Sequence, residues 1–324
     1  MTRHITFHAI EVGDARDGSW TAPLLARVPE ELDRWVPDEV RTPAGDAAAR
    51  EQFAEHLPEL LPVLDLLVSQ GEGQPGLTAL LAEVGLRNPF RACSQIGGVA
   101  GTLLRNYDWD LGEAERTIVS STLLRPVIGT AEGLWGLLDG MNDAGLAISL
   151  TYGGRPVHGP GFGIPVVLRY VLETCETVLQ ALAVLGRVPI ATAQNVTVVD
   201  RDEAVTVHLG PDIAPTRAAD ACATNHQHLP LPEEQARTSS TYRRLETVRA
   251  AGESGDPDAI VAALLRPPLH EYDEETGYGT MYTAAYRPAE GRVTYHWPAQ
   301  DAWEQSFKAF DPGSRKITYG ALDG

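Results

Sequence analysis

The chain has 324 residues, with 26 Lys and Arg against 44 Asp and Glu and a formal net charge of -18 at pH 7. So acidic a surface repels nucleic acid and anionic lipid alike, which argues against both as partners. No apolar run approaches the length of a membrane span, the opening Met-Thr-Arg-His-Ile-Thr-Phe-His lacks the apolar core of a secretion signal, and three cysteines without a CxxC pair favour reduced thiols.

A cytoplasmic protein without cofactor is therefore expected, with homo-oligomerisation left open. One large sandwich carrying an appended helical segment fits this length as well as two domains do.

Residues 4–11 alternate weakly and read as an edge strand. The stretch that follows, through Pro43, is broken by prolines. From Gly45 to Gln70 the apolar residues Phe53, Leu57, Leu60, Leu61, Leu64 and Leu67 recur at three- and four-residue steps, the pattern of one amphipathic helix. A short helix, Leu77 to Val84, leads to an Arg-Asn-Pro break at Arg87. Residues 1–92 thus read as a helical leader ahead of a strand-rich part, residues 93–324.

The run from Pro89 through Cys93 to Arg105-Asn106-Tyr107-Asp108-Trp109 reads as two strands joined by a tight turn at Gly97-Gly98. Across that hairpin Cys93 meets the neighbourhood of Arg105 to Asp108, so a thiol, a guanidinium and a carboxylate converge. A free thiol, with a pKa of about 8.5, is mostly unreactive at neutral pH, and a neighbouring cation favours its thiolate. Arg105 supplies that charge, and Asp108 orients the arginine or an amine. A cut before Cys93 would free an α-amine of pKa roughly 7.7 to 8.0 to act as the general base. Against this stands the ordinary fate of a free cysteine, which is to be packed as a small apolar side chain.

Further along, Arg116 to Leu124 reads as a strand, and Trp135 to Gly140 forms a hairpin with Leu146 to Tyr152 across the turn Asn142-Asp-Ala-Gly145. The Gly- and Pro-rich loop 153–163 opens a helix with Pro165 in its first turn. The apolar residues of that helix run from Val167 to Leu182 and include Cys175 as core. Strands follow at 195–200, 204–209 and 219–224, the last ending in Asn225-His226-Gln-His228. His226 and His228 lie on one side of a strand, a conceivable metal pair without a third ligand at telling spacing. Residues 233–249 and 259–265 are helical, and a hairpin spans 281–297. Strand-rich halves with intervening helices point to an α+β fold of two stacked, mostly antiparallel sheets between helical layers.

Cys93, the Gly97-Gly98 turn, Arg105-Asn106-Tyr107-Asp108, Gly140-Met-Asn-Asp-Ala-Gly-Leu146, Thr224-Asn225-His226 and Ser240-Thr-Tyr-Arg243 together resemble the acyl-CoA:6-aminopenicillanic acid acyltransferase family. That family belongs with the N-terminal nucleophile hydrolases and is similar more distantly to choloylglycine hydrolases and penicillin V acylases. The resemblance runs from about Cys93 to the C-terminus. It implies a four-layer αββα sandwich, self-cleavage at Ala92-Cys93 with the leader retained as a small subunit, and Cys93 as nucleophile.

It further implies that the Asn225 amide donates to the oxyanion, with Asn195 as the rival asparagine. Tyr152, at a strand end, contributes to the same pocket, and Tyr107 and Trp109 line the substrate side. Ser-x-x-Arg spacing selects Arg243 over Arg244 as the arginine near the nucleophile. The expected reaction is hydrolysis of a small N-acyl amide through a thioester, ahead of transfer to another amine. Three alternatives stay open: a leader that is never cut, a catalytically idle binding protein, and a metal-dependent hydrolase using His226 and His228.

Overall fold

The computed structural model describes residues 3–84 and 92–320. The leader opens with β1 (Arg3–Glu11), which buries the alternate residues Ile5, Phe7 and Ala9. It continues through α1 (Thr21–Trp35), α2 (Pro43–His56), α3 (Leu61–Gln70) and α4 (Leu77–Ala82).

The proline-broken stretch before Pro43 thus contains a helix. Pro23 falls in the first turn of α1, where a missing N–H has no intrahelical partner to lose, and Pro29 is tolerated inside it. Conversely, the single helix expected over 45–70 is two helices. The chain leaves helical geometry at Leu57, makes a 3-10 turn over Pro58–Leu60, and restarts with Pro62 in the first turn of α3. The expected break at Arg87 and the opening of the hairpin at Pro89 lie outside the described residues.

Next come β2 (Ala92–Gly97), β3 (Leu103–Asp110), β4 (Thr117–Ser121), β5 (Val127–Glu132), β6 (Gly136–Asn142) and β7 (Ala147–Tyr152). Two helices follow, α5 (Ile164–Thr174) and α6 (Val178–Arg187), where one was expected. They part at Cys175, and the Thr177 side chain caps α6 by accepting from the Gln180 N–H. The chain then forms β8 (Gln194–Val199), β9 (Ala204–Gly210), β10 (Ile213–Arg217) and β11 (Cys222–Ala223). It closes with α7 (Glu233–Thr238), α8 (Thr241–Gly252), α9 (Pro257–Leu264), β12 (Tyr278–Arg287), β13 (Arg292–His296), β14 (Trp303–Ser306) and β15 (Gly313–Tyr319).

The strands form two sheets. One has nine strands in the order β10-β9-β8-β7-β6-β5-β4-β1-β15, the other six in the order β11-β2-β3-β12-β13-β14. β1 is not an edge strand: it pairs parallel with β4 and antiparallel with β15. The sheets face each other through β2 and β3 against β7 and β8. α5 covers the outer face of the larger sheet, and α8 and α9 cover the outer face of the smaller one. This is the expected α+β, αββα sandwich. Ile96, Leu104 and Ala285 pack with Val248, Ile260 and Leu264 as a separate core beneath α8 and α9.

The segment before β2 docks on the rest of the chain through its aromatics. Phe53 stacks on Trp135 with centroids 6.2 Å apart and meets Phe162 edge-on at 6.1 Å, and the Trp135 indole N–H donates to the Leu81 carbonyl at 2.6 Å. Carboxylates gather at the same seam. Glu31 and Glu83 come from the leader, Glu115 and Glu132 from beyond it, and the nearby Arg27 holds Glu31 at 2.7 Å. Glu83 Oε2 accepts from the Val166 N–H at the start of α5 at 3.1 Å. Burial first, and then Glu115 and Glu31, drive the Glu132 carboxyl well above the usual range, with Arg27 opposing.

Phe53 is fully buried, so Phe53→Ala should lose about 3–5 kcal/mol, read as a clear fall in the thermal midpoint. The Glu132 proton carries a signed expectation. A carboxyl whose folded pKa is raised contributes stability that is complete below its unfolded pKa and is lost as pH rises through the folded one. Glu132→Gln, which mimics the protonated form, should therefore flatten the fall of the thermal midpoint on the alkaline side. Parallel curves for the two proteins would contradict this.

Candidate active site

β2 and β3 pair with Cys93 opposite Tyr107 and Gln95 opposite Arg105, the neighbourhood expected of the hairpin. The connection is longer than a two-residue turn. It runs from Gly98 to Thr102, with Gly98 at φ 90° and its Cα close enough to Ala204 that an added Cβ would lie 2.9 Å from that side chain.

Strand alternation sorts the side chains. Cys93 and Gln95 of β2, with Arg105 and Tyr107 of β3, point between the sheets, where Gln95 Nε2 donates to Thr197 Oγ1 at 2.7 Å. Asn106 and Asp108 point the other way, toward α8 and α9, and Asn106 Nδ2 donates to the carbonyls of Leu264 at 2.7 Å and Leu269 at 2.9 Å.

Arg105 Nη2 donates to Cys93 Sγ at 3.3 Å. The guanidinium is fully buried over the Tyr107 ring, 5.2 Å from its centroid, and pairs on its far edge with Asp139 at 2.8 Å. The Cys93 N–H donates to Asn225 Oδ1 at 2.9 Å, and Asn225 Nδ2 donates to the Tyr152 carbonyl at 3.2 Å. Asn225 is itself fixed, since its N–H donates to Thr241 Oγ1 at 2.8 Å. Asn195, the rival, props this segment instead: its Nδ2 donates to Thr151 Oγ1 at 3.0 Å and to the Thr224 carbonyl at 2.8 Å.

The thiol does not have the lowered pKa expected from its arginine. Cys93 is 2% exposed. Burial pushes its pKa up, Arg105 pulls it down by less, and Asp108 adds to the rise. In this arrangement the sulfur is a neutral thiol.

Asp108 does not join the thiol and Arg105 on one face. It lies across β3, where its carboxylate pairs with Arg244 and accepts from the Thr280 hydroxyl at 2.7 Å. Arg244 is fully buried and Arg243 is exposed, so the structure sets Arg244, not Arg243, beside this group. Glu271 stands 3.9 Å from Arg244, and its carboxyl is pushed up to about 7 by burial and by Asp108.

Tyr152 is half-buried and reaches Asn225 through its carbonyl. Tyr107 is buried and stacks on Trp109 with centroids 6.4 Å apart. The Tyr107 and Tyr278 hydroxyls both interact electrostatically with Cys93 and have no hydrogen-bond partner among the described residues.

The two histidines go separate ways. The His226 ring lies against Thr241 Oγ1 at 2.8 Å, and His228 lies against His208 at 3.1 Å. Among the described residues no group of three or more His, Cys, Asp or Glu is placed to hold a metal ion. Cys175 is buried core, as expected. Neither of two surface clefts, one beside Ala48, His56 and Pro189 and one beside Leu185 and Ile213, includes Cys93. Also among the described residues, no helix is long and apolar enough to cross a membrane.

Two facing, mostly antiparallel sheets between helical layers form the sandwich of the N-terminal nucleophile hydrolase fold, and here an inner strand carries a thiol beside an arginine and an asparagine. The family described as acyl-coenzyme A:6-aminopenicillanic acid acyl-transferase matches residues 97–302, and the chain belongs to that family. Its general chemistry is acyl transfer or hydrolysis at an amide.

No curated protein matches in sequence. Among solved structures, similarity is found to a mutant of the conjugated bile acid hydrolase of Clostridium perfringens, at TM-score 0.43 and 13% identity over 71% of this chain and 97% of that one. It is also found to an N-acylethanolamine-hydrolyzing acid amidase ortholog of Caenorhabditis elegans, at 0.44 and 15% over 65% and 98%. The penicillin V acylase of Agrobacterium tumefaciens gives 0.40 and 14% over 69% and 90%.

The two arginines of α8 provide a direct comparison. Arg244→Ala strands the buried Asp108 carboxylate and should cost about 3–5 kcal/mol, whereas Arg243→Ala should stay within about 0.5 kcal/mol. Equal thermal midpoints for the two variants would be inconsistent with this placement.

Proposed function

We propose that the protein is a cysteine-nucleophile amide hydrolase acting on a small N-acyl amide through a thioester, after cleavage of its own Ala92-Cys93 bond. The observation that carries this reading is the thiol with Arg105 Nη2 at 3.3 Å and its own backbone nitrogen on Asn225 Oδ1 at 2.9 Å. In the cleavage step the sulfur adds to the Ala92 carbonyl, the Ala92-Cys93 C–N bond breaks, and the Cys93 nitrogen takes up the proton. Water then releases Ala92 as a carboxylate and restores the thiol.

The freed amine would remain on Asn225 Oδ1, beside the sulfur whose proton it removes in each turnover. The substrate acyl group passes to Cys93 Sγ as the amine leaves, and water takes it on. Asn225 Nδ2, now spent on the Tyr152 carbonyl, belongs to the same amide whose oxygen holds this nitrogen, and it is assigned to the oxyanion together with backbone N–H groups. Arg105 touches the sulfur. Arg244, through Asp108, holds the outer side of β3. The Tyr107 and Tyr278 hydroxyls, unpartnered among the described residues, are assigned with Trp109 to the acyl side of the pocket.

Intact-mass measurement of freshly purified protein should give two chains that meet at Ala92-Cys93, and Cys93→Ala should give one. A single full-length mass for the unaltered protein would refute the amine as base. On a panel of N-acyl amides, Cys93→Ala should lose activity by on the order of a thousandfold or more. An unimpaired variant would refute the nucleophile assignment.

A further inference from the structure

The buried edge of Arg105 is more elaborate than a single ion pair. Nη1 donates to Asp139 Oδ2 at 2.8 Å and to the Leu138 carbonyl at 2.9 Å, which leaves Nη2 for the sulfur. Asp139 sits in the middle of β6, fully buried, and receives two phenols from β12. The Tyr282 hydroxyl donates to Oδ2 at 2.6 Å and the Tyr286 hydroxyl donates to Oδ1. Tyr286 in turn lies 3.2 Å from the Tyr295 hydroxyl of β13, which Thr130 of β5 reaches at 3.3 Å.

We propose that Asp139, held by Tyr282 and Tyr286, is a positioning residue that sets how much of the Arg105 charge faces the Cys93 sulfur. This rests on the reading of Cys93 as nucleophile.

A guanidinium cannot shed its proton, so its field at the sulfur is governed by what neutralises its other edge. A bare carboxylate on Nη1 would turn the pair into a nearly neutral dipole. Each phenol that donates to Asp139 draws carboxylate charge away from the arginine and restores positive character at Nη2, an effect strengthened by the low dielectric of a site without exposure. The other groups acting on the thiol are Asp108 and Arg244, which pair with each other across β3, and the neutral phenols of Tyr107 and Tyr278. Arg105 is the cation in direct contact with the sulfur, so changes at Asp139 should be felt there.

The two halves of the device predict opposite signs. Asp139→Asn keeps the shape and removes the counter-charge, so the thiol ionises more easily. Tyr282→Phe and Tyr286→Phe each return charge to the arginine's edge, so it ionises less easily. A clamp that merely held the arginine in place would move all three variants the same way.

The test is the titration of the Cys93 Cβ carbon signal in protein labelled at cysteine, with the Cys93→Ala spectrum for assignment. The midpoint should fall by about one pH unit in Asp139→Asn, a tenfold gain in thiolate at a given pH, and rise in each tyrosine variant. An unchanged or raised midpoint in Asp139→Asn, or a lowered one in the tyrosine variants, would overturn the proposal. Should Asp139→Asn fail to fold, the tyrosine variants decide alone, and unchanged midpoints in both would overturn it. The readout is the thiol itself, so amidase activity surviving in Cys93→Ala would end the nucleophile reading without altering the titration.

Discussion

A fully buried guanidinium governs this molecule. Arg105 keeps its proton wherever it is placed, so the fold must neutralise it on the spot, and it does so with Asp139 on one edge, while the other edge donates to the Cys93 sulfur. The inner faces of both sheets are arranged to satisfy that demand. β6 brings the carboxylate, β12 brings two phenols to the carboxylate, and β2 brings the sulfur. Cys93 is therefore at once a core residue and a reactive candidate. Its burial keeps the proton on and its neighbour favours taking it off, with burial prevailing in the state described.

The smaller sheet separates two charge systems by the thickness of one strand. On its inner side Cys93 and Arg105 meet Asp139 of the larger sheet; on its outer side Asp108 meets Arg244 of α8 and, beyond it, Glu271. Each is close to internally compensated, which limits how strongly either polarises the other. Asn225 binds the Cys93 backbone rather than its side chain, so it locates the nitrogen while Arg105 locates the sulfur.

Much of this was legible in the residues. Glycines between two apolar runs fixed the hairpin, and the family motifs fixed its chemical ends and the fold. The faces were misjudged for a reason the sequence contains: period-two alternation puts 105 and 107 on one side and 106 and 108 on the other, so Arg105 and Asp108 could not both meet the thiol directly. The arginine of α8 was also recoverable. Its buried positions are Thr241, Arg244 and Val248, a helical stripe that excludes Arg243, and motif spacing outweighed that stripe. Asp139 left a fainter mark, a lone charge inside the wholly buried run Gly136–Asn142. α1 was hidden because its prolines read as breaks, although one lies where a helix start tolerates it. The phenols of β12 gave no warning, because tyrosines in a strand are usually packing.

The position of β1 has a consequence for the leader as a piece of matter. It is hydrogen-bonded on both sides, to β4 and to β15, and is thus woven into the larger sheet rather than laid upon it. Severing the chain ahead of Cys93 would not let such a fragment drift off. Its departure would require unzipping two ladders and uncovering the flank of β4, so the halves would behave as one inseparable body. Either half made without the other would emerge as an incomplete sheet in need of its mate.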